Sequence, residues 1–247
     1  MFIGDYHTHS AVSDGKGSVL DNALAAKKRG LKEIAATDHG FYIVGDGRRN
    51  LVGRRKKSYE ELKEECAQAT ALTGVKVLAG IEADILSPEG DLDLPESEME
   101  KVDYLIAGFH KFAMPKKVSV FFKMYFVTFF NGLIPTSKKA KERNTAAVIA
   151  AIKRYPIKVL THPGHSLKVD VGAVARACAE KGVLVEINAK HLDEFKGEWA
   201  VLAESGANFV VNSDAHRPSE VGDLENAFRV ATENGIPSER IVNYCGE

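Results

Sequence analysis

Nine imidazoles and carboxylates stand out along this chain: His7, His9 and Asp14, then His39, Glu82, His110 and His162, and finally Asp214 and His216. The set contains no thiolate. It suits Zn²⁺, Mn²⁺ or Fe rather than an iron–sulfur cluster, and its imidazoles argue against all-oxygen Ca²⁺ or Mg²⁺ sites. The spacing of His7 and His9 puts both rings on one side of an extended chain, where they can share an ion, and Asp214 and His216 repeat that spacing. A lone histidine at a strand end is ordinarily a hydrogen-bonded structural residue. If all nine groups meet in one cleft, however, they repel or desolvate one another unless cations sit among them. They are too many for one ion. With Glu82 as a bridge they make about three sites of three or four protein ligands each, counting shared ones, with water filling the rest. Three divalent ions set against about three carboxylates leave a positive pocket, which favours a dianionic phosphate and a metal-bridging hydroxide formed at neutral pH.

Such convergence requires a particular architecture. Short apolar, β-branched runs bounded by turn or polar residues alternate with helical patterns, the signature of a parallel sheet wrapped by helices. The strands are expected at Phe2 to Tyr6, Glu33 to Ala36, Lys76 to Ile81, Tyr104 to Gly108, Lys158 to Thr161, Val183 to Ile187 and Asn208 to Asn212. Helices are expected at Ser18 to Arg29, Ser58 to Thr73, Lys138 to Arg154, Val171 to Lys181, Phe195 to Ser205 and Asp223 to Asn234. No linker divides the series, so the expectation is one α/β domain over residues 1–247, a (β/α)7 TIM-like barrel, with an open doubly wound sheet as the alternative. In a βα barrel the chemistry lies at the C-terminal ends of the strands. Six of the eight histidines fall at such ends, and the other two, His165 and His191, follow strands five and six.

With 45% hydrophobic and 27% charged residues in 247, the chain has the composition of a soluble globular protein. Its formal charge of −1 gives no global reason to expect nucleic acid or an anionic membrane as partner. Cys66, Cys178 and Cys245 are far apart and odd in number, which suits a reducing compartment. The opening run Met1-Phe2-Ile3-Gly4-Asp5 has neither the basic nor the apolar stretch of a signal peptide, so a cytoplasmic protein is expected.

The runs Asp5-Tyr6-His7-Thr8-His9-Ser10 with Ser13-Asp14-Gly15, Thr37-Asp38-His39-Gly40, Gly80-Ile81-Glu82-Ala83, Gly108-Phe109-His110, Thr161-His162-Pro163-Gly164 and Asn212-Ser213-Asp214-Ala215-His216 together resemble the PHP (polymerase and histidinol phosphatase) family. The resemblance spans nearly the whole chain. It implies a distorted seven-stranded barrel, a trinuclear metal site and phosphoesterase activity. Carried over residue by residue, it assigns His7, His9, Glu82 and Asp214 to one ion, Glu82, His110 and His162 to a second, and Asp14, His39 and His216 to a third. Some similar members carry histidine at the Asp14 position, so the third site here gains a negative charge. The implied reaction is hydrolysis of a phosphate ester by a bridging hydroxide, centred on Glu82, Asp214 and His216, with the ions clamping the phosphoryl oxygens and no serine or cysteine nucleophile. Lys111 and Arg217 directly follow ligands and are candidates to reach a phosphate oxygen. Asn188 and His191 are candidates to bind substrate or donate a proton. Asp38 is expected to orient a ligand imidazole or to cap the turn beside His39.

Two segments break the strand–helix rhythm. A basic insertion at about 44–57 carries Arg48, Arg49, Arg54, Arg55, Lys56 and Lys57, read as a solvated loop or as a steering surface for a phosphorylated substrate. An aromatic insertion at about 112–137 contains Val118 to Ile134, with Phe122, Phe126 and Phe130 at helical spacing. It is too short and too interrupted for a membrane span, and reads as a lid or homo-oligomer contact, or as a surface that docks on anionic membrane. The leading reading is a phosphatase of a small phosphorylated molecule such as a histidinol phosphate. The alternatives are an exonuclease-like phosphodiesterase on short nucleic acids, a C–N bond amidohydrolase and a non-catalytic metal-binding module.

Overall fold

The computed structural model describes residues 1–40, 57–110, 113, 118–120, 122, 124 and 136–246. Seven strands, β1 (Gly4–Thr8), β2 (Glu33–Ala36), β3 (Lys76–Asp84), β4 (Tyr104–Gly108), β5 (Val159–Leu160), β6 (Leu184–Asn188) and β7 (Phe209–Asn212), pair in chain order. Every pairing is parallel, so each strand must be followed by a crossover that returns the chain to the same end. Among the described residues the α-helices are α1 (Val19–Lys28), α2 (Tyr59–Thr73), α3 (Glu96–Met99), α4 (Val118–Val120), α5 (Lys138–Arg154), α6 (Val171–Lys181), α7 (Trp199–Glu204) and α8 (Glu225–Glu233). Local chemistry sets their starts. Ser18 with Asp21 and Ser58 with Glu61 form capping boxes, while Ser137 and Asp170 cap α5 and α6.

The sheet curls into a (β/α)7 barrel that is nearly closed. At the top of the seam Thr8 bridges Ala215, and His9 N donates to Ala215 O at 2.7 Å. Below that, side chains take over from the ladder. Tyr6 N donates to Asn212 Oδ1 at 2.9 Å. Buried Asn243 donates through Nδ2 to Gly4 O (2.9 Å) and Val211 O (2.7 Å), and its Oδ1 accepts from Val211 N at 3.1 Å. These amides satisfy backbone groups that an unpaired seam would leave buried and orphaned.

The barrel interior is layered. Its lower layer is apolar: Tyr6, Ala35, Ile106, Val159 and Val210, with Leu78, Tyr104 and Leu184 against them. Above it the wall is tight. A Cβ on Gly80 would lie 2.7 Å from Tyr104 O and from Thr37 Cγ2, and one on Gly108 would lie 2.2 Å from Thr161 Oγ1. A barrel of fewer strands is narrower, and glycine is the residue that lets these walls approach. The upper layer is polar, because alternation along β3 carries Gly80 on to Glu82 and Asp84, and along β6 carries Leu184 on to Glu186 and Asn188.

Several expected boundaries shift. β1 lies two residues later than expected, so His7 is in the strand; between Asp5 and Thr8 it advances three residues against two on β2. This bulge lets Tyr6 join the lower layer while His7, one residue on, faces the upper one. β3 runs on through Asp84, which places Glu82 inside a strand. The expected helix from Phe195 to Ser205 is split into a 3₁₀ turn at Leu192–Phe195 and α7, with Gly197 in the left-handed region (φ 81°) between them.

Candidate metal centre

Glu82 is the hub of the upper layer, and its carboxylate is 1% exposed. Oε1 lies 3.2 Å from His110 Nε2 and 3.1 Å from His162 Nε2. Oε2 lies 3.2 Å from His7 Nε2, 3.4 Å from His9 Nε2 and 3.3 Å from His39 Nδ1. Asp214 Oδ1 stands 3.6 Å from His7 Nε2 and 3.4 Å from His9 Nε2 and His216 Nδ1. Asp14 reaches His9, His39 and His216 at 3.7, 3.6 and 3.4 Å. The nine side chains singled out from sequence therefore lie in one connected cluster at the C-terminal rim. Their ligand atoms fall into four overlapping groups, each within 4.8 Å: His9, Asp14, His39 and His216; His7, Glu82 and His162; His7, His9 and Asp214; His39, Glu82 and His110. The resemblance divides them differently. His9 here faces Asp14 as well as Asp214, and His39 faces Glu82 as well as Asp14.

Further residues hold these rings in place. Glu186, missed in the sequence, takes His7 Nδ1 at 2.7 Å, His162 N at 2.8 Å and Asn212 Nδ2 at 2.9 Å. Asp84 takes His110 Nδ1. Both leave Nε2 of the bound imidazole free to face inward. Asp38 accepts from Ser10 N and Oγ (both 2.8 Å) and from Ser13 N (3.1 Å) and Oγ (2.6 Å). It thus secures the loop that carries Asp14 rather than an imidazole. Asp5 does the same for the other end of the cluster, accepting from Ser213 N at 3.1 Å and Gly222 N at 2.8 Å. Among the described residues, His162 (φ 26°) and Asp214 (φ 53°) are the non-glycine residues with left-handed backbones, a strain that persists only where surrounding bonds over-determine the conformation.

The expected substrate contacts fall in unlike places. Asn188 is buried and donates to Glu186 Oε2 (3.1 Å) and Asp214 Oδ2 (3.2 Å) while its Oδ1 accepts from Lys190 N (2.9 Å). Its amide is thus engaged by protein partners on both its nitrogen and its oxygen. His191 stacks on His165 with ring centroids 3.6 Å apart, and its Nε2 is 3.8 Å from Asp214 Oδ2. A quarter of its side chain is exposed, so it borders the cleft. Arg217 is exposed beside His216. Lys111 lies outside the described residues, as do Arg48, Arg49, Arg54, Arg55, Lys56 and most of the aromatic insertion. Lys57 pairs with Glu65. In the aromatic insertion Met124 is buried and Phe122 exposed.

Opposed forces act on the buried titratable groups. Burial alone would lower the pKa of His7, but Glu82, Glu186 and Asp214 outweigh it and raise it well above 6.5. His110 is raised in the same way by Glu82 and Asp84. Burial, together with the neighbouring His39, pushes His9 down to about 4. Burial would raise Glu82 and Asp214, yet the imidazoles around them hold both well below the ordinary carboxylate range.

This donor set fits divalent metal ions. Two buried atoms in the cluster, His9 Nδ1 and Glu82 Oε2, have no hydrogen-bond partner among the described residues. Many cross-cluster donor separations are 3.1–3.6 Å. Metal–ligand bonds of 2.0–2.2 Å in tetrahedral array give edges of about 3.3–3.6 Å, so the atoms already stand at coordination spacing. No helix among the described residues is long and apolar enough to cross a membrane.

Comparison with known proteins agrees with this geometry. A protein of Thermoanaerobacter sp. strain X514 named "Probable phosphatase" is 31% identical over 250 residues, covering 97% of this chain and 89% of that one. An Aeromonas hydrophila protein of the same name is 29% identical over 248 residues, covering 96% and 88%. Among solved structures, the histidinol phosphate phosphatase of Lactococcus lactis subsp. lactis Il1403, complexed with zinc, L-histidinol and phosphate, superposes with a TM-score of 0.61 over 95% of this chain and 94% of that one, at 17% identity. The PHP domain model matches residues 5–190, a span that takes in every one of the clustered groups except Asp214 and His216. By that match and by the identity to full-length relatives, the chain belongs to the PHP domain family.

Proposed function

We propose that this chain, a metal-dependent phosphoesterase, hydrolyses a small phosphomonoester, and that three divalent transition ions occupy the cluster. The observation that carries this reading is Glu82, whose two oxygens face five imidazoles from four strand ends with no hydrogen bond to spare for one of them. Bound divalent ions supply Lewis acidity toward phosphoryl oxygens and lower the pKa of coordinated water. The chain's own residues do the rest. Glu82 bridges the groups, with His110 and His162 on one oxygen and His7, His9 and His39 on the other. Asp14, His39 and His216 form the site nearest solvent, with Asp14 and His216 each about a third exposed. Asp214 and His216 border the position where the ester would sit, beside His191 and Arg217 on the same rim. A histidinol phosphate is a fitting substrate class, in keeping with the L-histidinol and phosphate held by the Lactococcus lactis phosphatase that shares this fold. Zn, Mn or Fe each match the donors.

Elemental analysis of the purified protein, run beside a panel of phosphomonoesters, phosphodiesters and amides, tests the reading. Phosphate release from monoesters with about three ions per chain, abolished by chelator and restored by metal, is the expected result. Amide or diester turnover without monoesterase activity would replace it.

A further inference from the structure

Strand β6 supplies none of the nine clustered side chains, yet its inward residues brace them. Glu186 holds His7 and His162, and Asn188 holds Asp214. The turn after the strand adds a third brace. Lys190 Nζ donates to the carbonyl oxygen of Asp214, lies 3.1 Å from Glu220 Oε2 and approaches His216 Nδ1 to 3.3 Å. Its own backbone is pinned, since Lys190 N donates to Asn188 Oδ1 at 2.9 Å. Glu220 in turn accepts from His216 N at 2.9 Å.

His216 needs this support. For its Nε2 to face Asp14 at 3.4 Å as a ligand, Nδ1 must carry the proton, and that proton goes to Asp214 O at 2.9 Å. The same carbonyl sits on a left-handed residue, φ 53°, a conformation that survives only when its surroundings insist on it. The Lys190 ammonium binds that carbonyl and the Glu220 carboxylate at once, and so ties both ends of the 214–220 segment to β6. We propose that Lys190 is a positioning residue for the outermost ion: it holds the Asp214 carbonyl and Glu220 so that His216 faces Asp14. The inference rests on the reading that ions occupy the cluster. It is expected to be selective, because no contact joins the Lys190 side chain to Glu82, His7, His110 or His162 among the described residues, and the Asp214 carboxylate, which faces His7 and His9, has its own brace in Asn188 Nδ2 at 3.2 Å.

Cobalt(II), added to metal-free full-length protein, is the probe, read by elemental analysis and by visible absorption. Wild type is expected to take up about three ions. Lys190→Met, which keeps the stem and removes the ammonium, is expected to bind one of them roughly 10–100-fold more weakly, the usual cost of losing a residue that orients a ligand. The other ions should bind as before, and Lys190→Arg should recover much of the loss. Circular dichroism of each metal-free variant separates loss of an ion from loss of the fold. An unchanged cobalt titration and spectrum in Lys190→Met overturns the proposal. So does full cobalt uptake with weakened competition by inorganic phosphate, which would make Lys190 a substrate contact. Loss of every ion from a folded variant overturns the selectivity. A wild-type chain that takes up no cobalt overturns the metal reading itself, and this inference with it.

Discussion

Glu186 shows how much of the proposed metal site rests on a residue outside the nine clustered side chains. Its carboxylate binds His7 Nδ1, His162 N and Asn212 Nδ2, and although burial opposes its charge, His7 keeps its pKa below the ordinary value. Glu186→Gln exchanges one acceptor oxygen for an NH₂, so either the His7 ring or the His162 backbone meets a donor where it had an acceptor. Metal affinity is expected to fall about 10–100-fold with the fold intact, which competition with a graded chelator measures. The sequence made the facing imidazoles legible, because His7, His39, His110, His162 and His216 stand at or just beyond strand ends, where chemistry is expected in a barrel. It concealed Glu186 and Asp84, which read as ordinary polar members of apolar strands. The available signal was alternation: Glu186 sits two residues before Asn188, and Asp84 two after Glu82, each on the inward face. Asn188, a candidate substrate contact by sequence, has an amide that bonds Glu186, Asp214 and Lys190 N, and a residue type names the bonds a side chain can make and not the neighbour that takes them.

At the scale of elements, the narrowness of the barrel controls the site from below. Gly108 on β4 lies against Thr161, and a methyl group there would fall 2.2 Å from Thr161 Oγ1, 3.0 Å from Thr161 O and 3.2 Å from His162 Cε1. Gly108→Ala is therefore expected to destabilise by about 1–3 kcal/mol and to displace His162, weakening metal retention together with the melting temperature. A variant that melts like wild type would mean that β4 and β5 can part without cost. The seam makes a second demand. Asn243→Ala strips Val211 N, Gly4 O and Val211 O of side-chain partners in a place water does not reach, and should cost about 2–3 kcal/mol, visible as a lowered midpoint in urea. Strand order and most helix starts were readable because they rest on local patterns: apolar runs, Ser and Asp caps, and Gly74 and Gly182 in left-handed positions after α2 and α6. Closure at Asn243 was not readable, because it joins residues more than 200 positions apart with no periodicity to announce it. The β1 bulge escaped for the same reason, since register depends on a partner strand.

For the molecule as a whole, the centre sets the pH at which the fold is most secure, and metal changes the answer. In the metal-free protein His7 and His110 have pKa values raised above 6.5, so their contribution to stability is present in full below that pH and is lost as pH rises through the folded value. Glu82 and Asp214 are held below 4.5 and 3.8, so theirs is present above those values and is lost as pH falls. Taken by themselves, these four groups favour the acid side of neutrality, between the two windows, while His9, pushed down to about 4, acts in the opposite sense, its contribution being lost as pH falls below 6.5. Ions bound as proposed would reverse the demand on the imidazoles, which ligate only as neutral rings, so loading would expel the protons held by His7 and His110. Affinity then increases with pH, and each hundredfold excess of free metal over its dissociation constant adds about 2.7 kcal/mol to the folded state. The difference in melting temperature between metal-loaded and chelated protein is expected to be near zero at about pH 5 and to widen steadily toward pH 8, with protons released on loading in unbuffered solution. Calorimetry at fixed free metal reads the first and a pH electrode the second. A gap that stays constant, or narrows as pH rises, would mean that whatever binds does not bind at these imidazoles.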